Sequence, residues 1–565
     1  MGAKRWQVAP PVPQSHLARF PHLPPLLVQL LYNRGITAPD EVNEFLAGGA
    51  PGESPFYLAG MSKAVARIRQ AIRMGEPIAV YGDFDADGMA ATALLTQTLK
   101  ALGAQVVPYI PDRVDEGYGL NIPALRRLYR RGIRVVVTVD CGIRAVAEVE
   151  KARRGLDLII TDHHSVGEEL PPALAVINPK RADCPYPFKD LAGVGVAFKL
   201  AQALLLSHRQ QPLKQAKASL AEEDLLDLVA LGTVTDMVPL LGENRYLLIR
   251  GLEKLNDPQR PGLKALITSA GLKPGSIDTT AIGYILGPRL NAAGRIDDPM
   301  LSYRLLTTDS PIEAEELARQ LEELNRKRQA LTEESLERAR EQVLAMSEEK
   351  LFFVADEDFL PGIVGLVAGR LTEEFYRPSV VVSQGEEESC GSCRSIPELN
   401  ITLALEECCD LLRRYGGHAA AAGFTIASEN LDALRGRLKR IAERELEEVE
   451  LTPTLSIDAE VKLSEMDWAT QAQLERLKPY GYANPVPLFL SRGVEVRDAR
   501  AVGAEGEHLK LTLSDGRAIW DAIAFDQGHR IAELPRRIDV VYSVEVNEWE
   551  GERRLQLDVK DLRPS

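Results

Sequence analysis

Five short apolar runs between residues 78 and 177 constrain this chain more than any other feature in it. They are Ile78–Tyr81, Val106–Tyr109, Arg134–Val139, Leu156–Thr161 and Leu174–Ile177, and the intervals between them are too long for hairpins. Helix-like segments separate the first four: Ala90–Leu102, Ile122–Arg131 and Ala145–Arg154. Such alternation predicts an α/β domain built on a parallel, doubly wound sheet. In that architecture ligands gather outside the carboxyl ends of the strands.

The carboxyl ends of these runs carry acids and imidazoles. The first run leads into Gly82-Asp-Phe-Asp-Ala-Asp-Gly88. If the strand continued, period-two alternation would put Asp83, Asp85 and Asp87 on one side, with Gly88 turning the chain into a helix. Three like charges so close repel one another unless a cation neutralises them. An EF-hand loop would need a Glu where Leu94 stands, and a helix where Pro77–Tyr81 reads as a strand. Asp140 follows the third run, and Asp162-His163-His164 follows the fourth. An acidic surface turn would explain one such cluster; three at the same sheet edge point to a metal site. Asp236, in Gly232-Thr-Val-Thr-Asp236 after a helical pattern over Asp224–Leu231, is a further candidate ligand. The stretch Gly287–Arg295 reads as a tight loop whose backbone and guanidinium donors suit a phosphate, or equally as a helix-capping loop with exposed arginines.

The 565 residues suggest roughly three to five domains at about 150 residues each. No run approaches the roughly 18 apolar residues of a membrane helix, and Met-Gly-Ala-Lys-Arg-Trp at the start has no hydrophobic signal region, so a cytoplasmic protein without membrane association is expected. Six cysteines form no disulfide framework in so long a chain, and Cys390-Gly-Ser-Cys393 lacks the second pair of a zinc site. The net charge of −15 argues against a general nucleic-acid coat. Much of the excess acid, however, sits in Glu313–Glu349 and Glu443–Glu450, and Arg126, Arg127, Arg130, Arg131 and Arg134 form a basic cluster. No phosphate-binding G-x-x-x-x-G-K-[ST] occurs, which excludes the usual ATP-driven motor.

Along the chain, residues 1–60 read as a proline-rich extension packed onto the doubly wound domain, which spans 61–305. Residues 306–348 read as a connecting helix, or two, with Leu317, Leu321 and Leu324 on one face and Leu336, Ala339 and Val343 on another. A second α/β unit over 349–450 contains Pro361–Arg370, Ser392-Cys-Arg394 and Gly416-Gly-His418, and the texture of 451–565 changes to short strands. These are Leu455–Val461, His508–Leu513, Ala518–Phe525, Val540–Val546 and Leu555–Val559, with turns at Ser514-Asp-Gly516 and Glu550-Gly551. Five strands predict a small OB-like barrel, in which Tyr480, Tyr482, Phe489, Trp520, Phe525 and Trp549 stack bases or, for most of them, fill the core.

Taken together, Gly82–Gly88, Val139-Asp140-Cys-Gly, Asp162-His163-His164 and Gly232–Asp236 resemble the motifs of the DHH phosphoesterase superfamily. Tyr109–Arg113 through Glu116-Gly-Tyr-Gly119, Asn291-Ala-Ala-Gly-Arg295, Gly416-Gly-His418 and the terminal barrel narrow the resemblance to the RecJ family of bacterial single-strand-specific exonucleases. It spans nearly the whole chain. One departure is Phe359-Leu360 before Pro361-Gly362, where members of that family commonly carry Trp-His.

The resemblance implies a DHH domain over 61–305, a DHHA1 substrate-binding domain over 349–450 and a nucleic-acid-binding OB-fold over 451–565. It implies a two-metal phosphodiesterase with Asp85, Asp87, Asp140, His163 and Asp236 as ligands, and Asp83 and His164 as ligands or as residues holding them. Two ions about 3.5–4 Å apart suit in-line phosphoryl displacement. The imidazole favours Mn²⁺ over Mg²⁺. Arg113, Arg295, Ser392, Arg394 and His418 would bind substrate. The implied activity is 5′→3′ digestion of single-stranded DNA to mononucleotides in repair and recombination, by a monomer with a single-strand-binding protein and a helicase as candidate partners. A DHH phosphodiesterase or pyrophosphatase acting on short substrates would not need the barrel, and a non-catalytic scaffold would not need the ligand set.

Overall fold

Every one of the five apolar runs is a strand, and all five lie parallel in one sheet in the order Val106–Tyr109, Ile78–Tyr81, Val135–Val139, Asp157–Thr161, Ala175–Ile177. This arrangement belongs to a computed structural model describing residues 4–113, 116–346, 349–549 and 552–565. The central strands Ile78–Tyr81 and Val135–Val139 are buried along their whole length. Strands covered on both faces read as continuous Val/Ile runs without polar alternation. The strand order reverses direction between Ile78–Tyr81 and Val135–Val139, which opens a crevice at their carboxyl ends. Helix Ala86–Ala101 leaves the first strand at that point and is buried at nearly every position, packing against helices Gly193–Gln210 and Leu226–Thr235.

The chain divides into two units. The first comprises Pro51–Val238 and Tyr246–Leu451, and contains the parallel sheet and a second five-stranded sheet. That second sheet runs Leu412–His418, Ala421–Ala427, Glu388–Arg394, Ser379–Ser383, Phe352–Asp356; only the last pair is parallel. A single helix, Pro311–Leu344, links the two sheets within this unit. At 1.5 Å per residue it is about 50 Å long. Its first half buries Leu317 and Leu321, with Leu324 only partly covered, and its second half gives Leu336, Ala339 and Val343 to the core of the second sheet's domain. Between them the buried stripe is polar, with Asn325, Thr332 and Ser335. Phe359 joins that core, and Leu360 is exposed.

The stretch Gly287–Arg295, expected as a loop, is a helix, Gly287–Ile296, continuing a π-helical turn over Ala281–Leu286. Pro288, which has no N–H to donate to the preceding turn, stands where the π-helical turn gives way to the α-helix. Gly294 is required by packing, because a Cβ there would sit 2.2 Å from the Phe84 carbonyl oxygen.

The second unit corrects the expectation for the N-terminus. The described residues up to Ala50 form one compact unit with Pro239–Arg245 and Thr452–Ser565. Arg5–Val8 pairs in parallel with Thr454–Ile457, and Leu27, Leu30, Leu31, Val42 and Phe45 share a core with Leu463, Leu477 and Trp520. Leu455–Val461 therefore contributes mainly to that pairing. The barrel's leading strand is instead Phe489–Val502, which pairs with His508–Ser514 on one side and Arg537–Trp549 on the other; Ile519–Ala524 and Glu552–Pro564 complete the closed ring. Phe489 and Trp520 are buried and Tyr480 partly so, as core residues, whereas Tyr482 and Phe525 are exposed. The turn at Glu550-Gly551 and the Trp549 side chain lie outside the described residues. Among the described residues no helix is long and apolar enough to cross a membrane.

Candidate active site

At the crevice, the chain leaves the strand at Tyr81, so Asp83, Asp85 and Asp87 converge through a turn and a helix start, not through strand alternation. Asp85 is the N-cap of helix Ala86–Ala101, accepting from the Gly88 N–H at 3.0 Å. Asp87 lies in its first turn and accepts from the Gly193 and Val194 N–H groups at 2.7 and 3.0 Å. These are the opening donors of helix Gly193–Gln210, a favourable place for a carboxylate. Gly88 does not turn the chain; it lets Asp83 approach, since a Cβ at 88 would lie 2.7 Å from the Asp83 nitrogen. Gly193 and Gly232 do the same for other carboxylates, with Cβ positions 2.4 Å from Asp140 Oδ1 and 2.2 Å from Asp87 Oδ1.

Asp140 sits in the left-handed region at φ 61°, unusual for a residue with a side chain. The next acid along the edge, Asp162, has a part that sequence reasoning did not assign. It accepts from the N–H groups of Ile143, His163 and His164 at 2.8, 2.7 and 3.0 Å, and lies 2.8 Å from His164 Nδ1. Burial alone would raise its pKa, but the His164 hydrogen bond and charge bring it below the ordinary value. It thus fixes His164, whose ring also meets the Tyr118 hydroxyl at 3.2 Å. Asp236 stands at the carboxyl end of helix Leu226–Thr235, where the helix dipole disfavours a negative charge unless a cation is near.

Three sets of donor atoms lie within 4.8 Å of one another: Asp83, Asp85 and Asp140; Asp87, His163 and Asp236; and Asp140, His163 and His164. Asp140 and His163 each belong to two sets. His163 Nε2 is 3.2 Å from Asp140 Oδ1 and 3.5 Å from Asp236 Oδ2. Asp83 Oδ1, Asp140 Oδ1, Asp236 Oδ2 and both His163 nitrogens are buried without a hydrogen-bond partner. Burial, followed by the Asp85 charge, pushes Asp83 up to about 8 and Asp87 up to about 7. Burial and then Asp87 raise Asp140 and Asp236 well above the carboxylate range. Burial and then His164 hold His163 down to about 3, leaving the neutral imidazole that a metal requires. Buried carboxylates that cannot all ionise, with unpartnered oxygens aimed at one another, fit divalent cations.

Across the cleft the charge changes sign. The Arg113 guanidinium lies 3.9 Å from the Phe84 ring centre and donates to the Gly294 carbonyl at 3.0 Å. Its loop is anchored by Glu116, which accepts from the Tyr109 hydroxyl at 2.7 Å and from the Asp112 N–H at 3.2 Å and pairs with Arg127. Arg295 donates to the Gly362 carbonyl at 3.1 Å, and burial, then Arg113, Arg328 and Arg394, lower its pKa to about 9. Arg394 donates to Ser392 Oγ at 3.3 Å. Burial, then the Arg394 and His164 charges, lower the His418 pKa. Arg289, the other arginine of the expected phosphate loop, is paired with Glu322 at 2.7 Å and takes no part. Asn291 ties this helix to the acidic turn by accepting from the Ala86 N–H at 2.8 Å. Cys390 and Cys393, three apart on one strand, face opposite sides and cannot share an ion.

Three family models match the chain: the DHH family, N-terminal domain, over residues 77–233, the DHHA1 domain over 348–444 and the RecJ OB domain over 457–561. The chain is 40% identical over 573 residues to the single-stranded-DNA-specific exonuclease RecJ of Bacillus subtilis, covering 99% of this chain and 71% of that one. It is 36% identical to the Escherichia coli protein of the same name, covering 96% of each. Among solved structures it resembles Thermus thermophilus RecJ in complex with Mn²⁺, with a TM-score of 0.85 and 31% identity over 99% of this chain and 80% of that one.

Proposed function

Since the chain belongs to the RecJ family, we propose that it is a metal-dependent exonuclease that degrades single-stranded DNA from the 5′ end to mononucleotides, in DNA repair and recombination. The observation that carries this reading is the pairing, within one cleft, of the unpartnered carboxylate and imidazole cluster with Arg113, Arg295 and Arg394, which form no ion pair among the described residues. Asp83, Asp85, Asp87, Asp140, His163 and Asp236 would hold two ions, Mn²⁺ by preference. When bound, such ions polarise a phosphodiester and lower the pKa of an attacking water. Asp140, whose carboxylate has two oxygens and which belongs to two donor sets, would serve both ions, and His163, a neutral imidazole with a single lone pair, would serve one.

The remaining residues bind and orient. Asp162 fixes the His164 ring at the edge of the cluster through the 2.8 Å contact and four accepted bonds in all. Arg113, Arg295 and Arg394, with Ser392, would take a terminal phosphate, whose oxygens the planar guanidinium forks can bond in pairs. His418 would face the scissile phosphate. The OB barrel suits the strand's continuation, through Tyr482 and Phe525 as exposed rings on which bases could stack. A single-strand-binding protein and a helicase are the proposed protein partners, and the monomer the proposed working form.

The test incubates the protein with single strands labelled at either end, 5′-phosphorylated, with and without Mn²⁺. Release of labelled mononucleotide first from the 5′-labelled strand, only with metal, is expected. Release first from the 3′ end, or cleavage without metal, would overturn the reading.

A further inference from the structure

The face of the second sheet that looks into the cleft carries more than the residues assigned above. In strand Glu388–Arg394 the alternate positions Cys390, Ser392 and Arg394 lie opposite the buried Ser389, Gly391 and Cys393. Strand pairing extends these positions sideways. Arg394 is in register with Ala421 and His418, Ser392 with Gly423 and Gly416, and Cys390 with Thr425 and Arg414. The face is therefore ruled into rows about 7 Å apart, one row for every second residue along each strand. The first row holds Arg394 and His418, the second is floored by two glycines, and the third ends in Arg414.

Neither glycine is needed by the fold. Neither has a positive φ. A Cβ on Gly416 would meet nothing within 4 Å, and one on Gly423 would meet only the Gly391 carbonyl oxygen, at an ordinary 3.7 Å. Glycine in a strand weakens it and often marks close approach of a ligand. Gly417 differs, with φ +154° and a Cβ position 2.3 Å from the Ala421 oxygen. Arg414 is exposed and pairs with no acid among the described residues. Across the cleft its Nη1 lies 4.0 Å from where a Cβ on Gly117 would be, beside Tyr118 at the metal-capable cluster.

We propose that Arg414 is a second phosphate-binding residue of this cleft, holding the strand beyond the bond being cut, and that Gly416 and Gly423 keep the floor leading to it free of side chains. The proposal rests on the reading of the protein as a single-strand exonuclease. Arg394 and its neighbours take the terminal phosphate, the row containing His418 faces the metal-capable cluster, and Arg414, two rows on, meets the next part of the backbone. Phosphate contacts of this kind fix register without reading sequence.

The experiment compares wild type, Arg414→Gln and Gly416→Val on three 5′-phosphorylated substrates: a dinucleotide, a tetranucleotide, and a tetranucleotide with uncharged methylphosphonate at every linkage beyond the scissile one. Arg414→Gln is expected to raise KM for the tetranucleotide roughly tenfold or more, as for a lost charge-assisted bond, and to leave the dinucleotide within about twofold. On the methylphosphonate substrate wild type should fall to the level of the variant, and the variant should lose nothing further, the signature of two changes removing one interaction. Gly416→Val should keep the wild-type melting temperature and also raise KM for the tetranucleotide. An equal rise on the dinucleotide, losses that multiply, or unchanged tetranucleotide cleavage by Gly416→Val would each overturn the proposal. Wild type that cuts none of the three would instead remove the exonuclease reading, and the proposal with it.

Discussion

Arg295 and Gly362 meet at two points: the arginine side chain donates to the Gly362 carbonyl at 3.1 Å, and the Arg295 carbonyl oxygen approaches so closely that a Cβ on Gly362 would sit 2.1 Å from it. The joint locks the helix beside the acidic turn to the start of the second α/β domain. Gly362→Ala must push the two apart. Forced overpacking of this kind costs about 1–3 kcal/mol. The variant should fold with a lowered melting temperature and show a raised KM on 5′-phosphorylated strands, because Arg295 moves with the joint. Unchanged KM alongside a lowered melting temperature would make the joint purely structural.

Asp140 belongs to two of the three donor sets and has a left-handed backbone. Asn tolerates that conformation far better than Ala, so Asp140→Asn removes the charge while sparing the turn. Loss of several kcal/mol of metal-borne stabilisation should reduce kcat by roughly 10³-fold or more. Circular dichroism and melting should stay near wild type. Near-normal turnover at saturating Mn²⁺ would refute the two-ion assignment.

Asp83 and Asp87 are pushed by burial up to about 8 and about 7 from the ordinary 3.8. The folded, metal-free protein therefore holds protons that the unfolded chain releases above about pH 4. The stability these two carboxyls contribute is fully present below that point and is lost as pH rises toward 8. A divalent ion replaces those protons, so its binding should tighten across the same window. The gain in melting temperature on adding Mn²⁺ should be small at pH 5 and larger at pH 8. A gain independent of pH would show that these carboxylates do not hold the ion.

Arg394 is the donor nearest Ser392 on the cleft face. Removing one charge-assisted bond to a terminal phosphate costs roughly 1.5–3 kcal/mol. Arg394→Ala should lower kcat/KM by that amount on 5′-phosphorylated strands and far less on 5′-hydroxyl strands. Equal losses on both would mean that Arg394 neutralises the backbone generally.

The barrel is best tested by substitution. Deleting 452–565 would strip the partners of Leu27, Leu30, Leu31 and Phe45, so any loss would mix unfolding with binding. The combined Tyr482→Ala and Phe525→Ala variant removes exposed rings instead. It should weaken binding of a forty-nucleotide strand and leave cleavage of a trinucleotide unchanged. Equal effects on both lengths would exclude a platform role.

The parallel sheet and its acidic edge were legible because both are written locally. Strands buried on two faces need unbroken Val/Ile runs, and Asp83, Asp85, Asp140, His163 and His164 come directly at their ends. What was hidden depends on distant partners. Asp87 is set by Gly193, over a hundred residues on, and Gly294 by the carbonyl of Phe84. Strand Phe489–Val502 was missed because Arg492, Glu495, Arg497, Asp498 and Arg500 interrupt it and two register shifts break its alternation. The bends let one strand pair with two neighbours and close the barrel.

The parallel pairing of Arg5–Val8 with Thr454–Ile457 has a bearing on how the protein is made. Its partners are 449 residues apart. At roughly 5–20 residues per second, the first strand waits about 20–90 s on the ribosome before its mate exists. During that time the apolar face formed by Leu27, Leu30, Leu31 and Phe45 has no barrel to cover it. Its partners Leu463, Leu477 and Trp520 are synthesised only after residues 51–451. Closing this face is therefore coupled to synthesis of the barrel: until residues 452–565 are made, Leu27, Leu30, Leu31 and Phe45 lack the partners that complete their core.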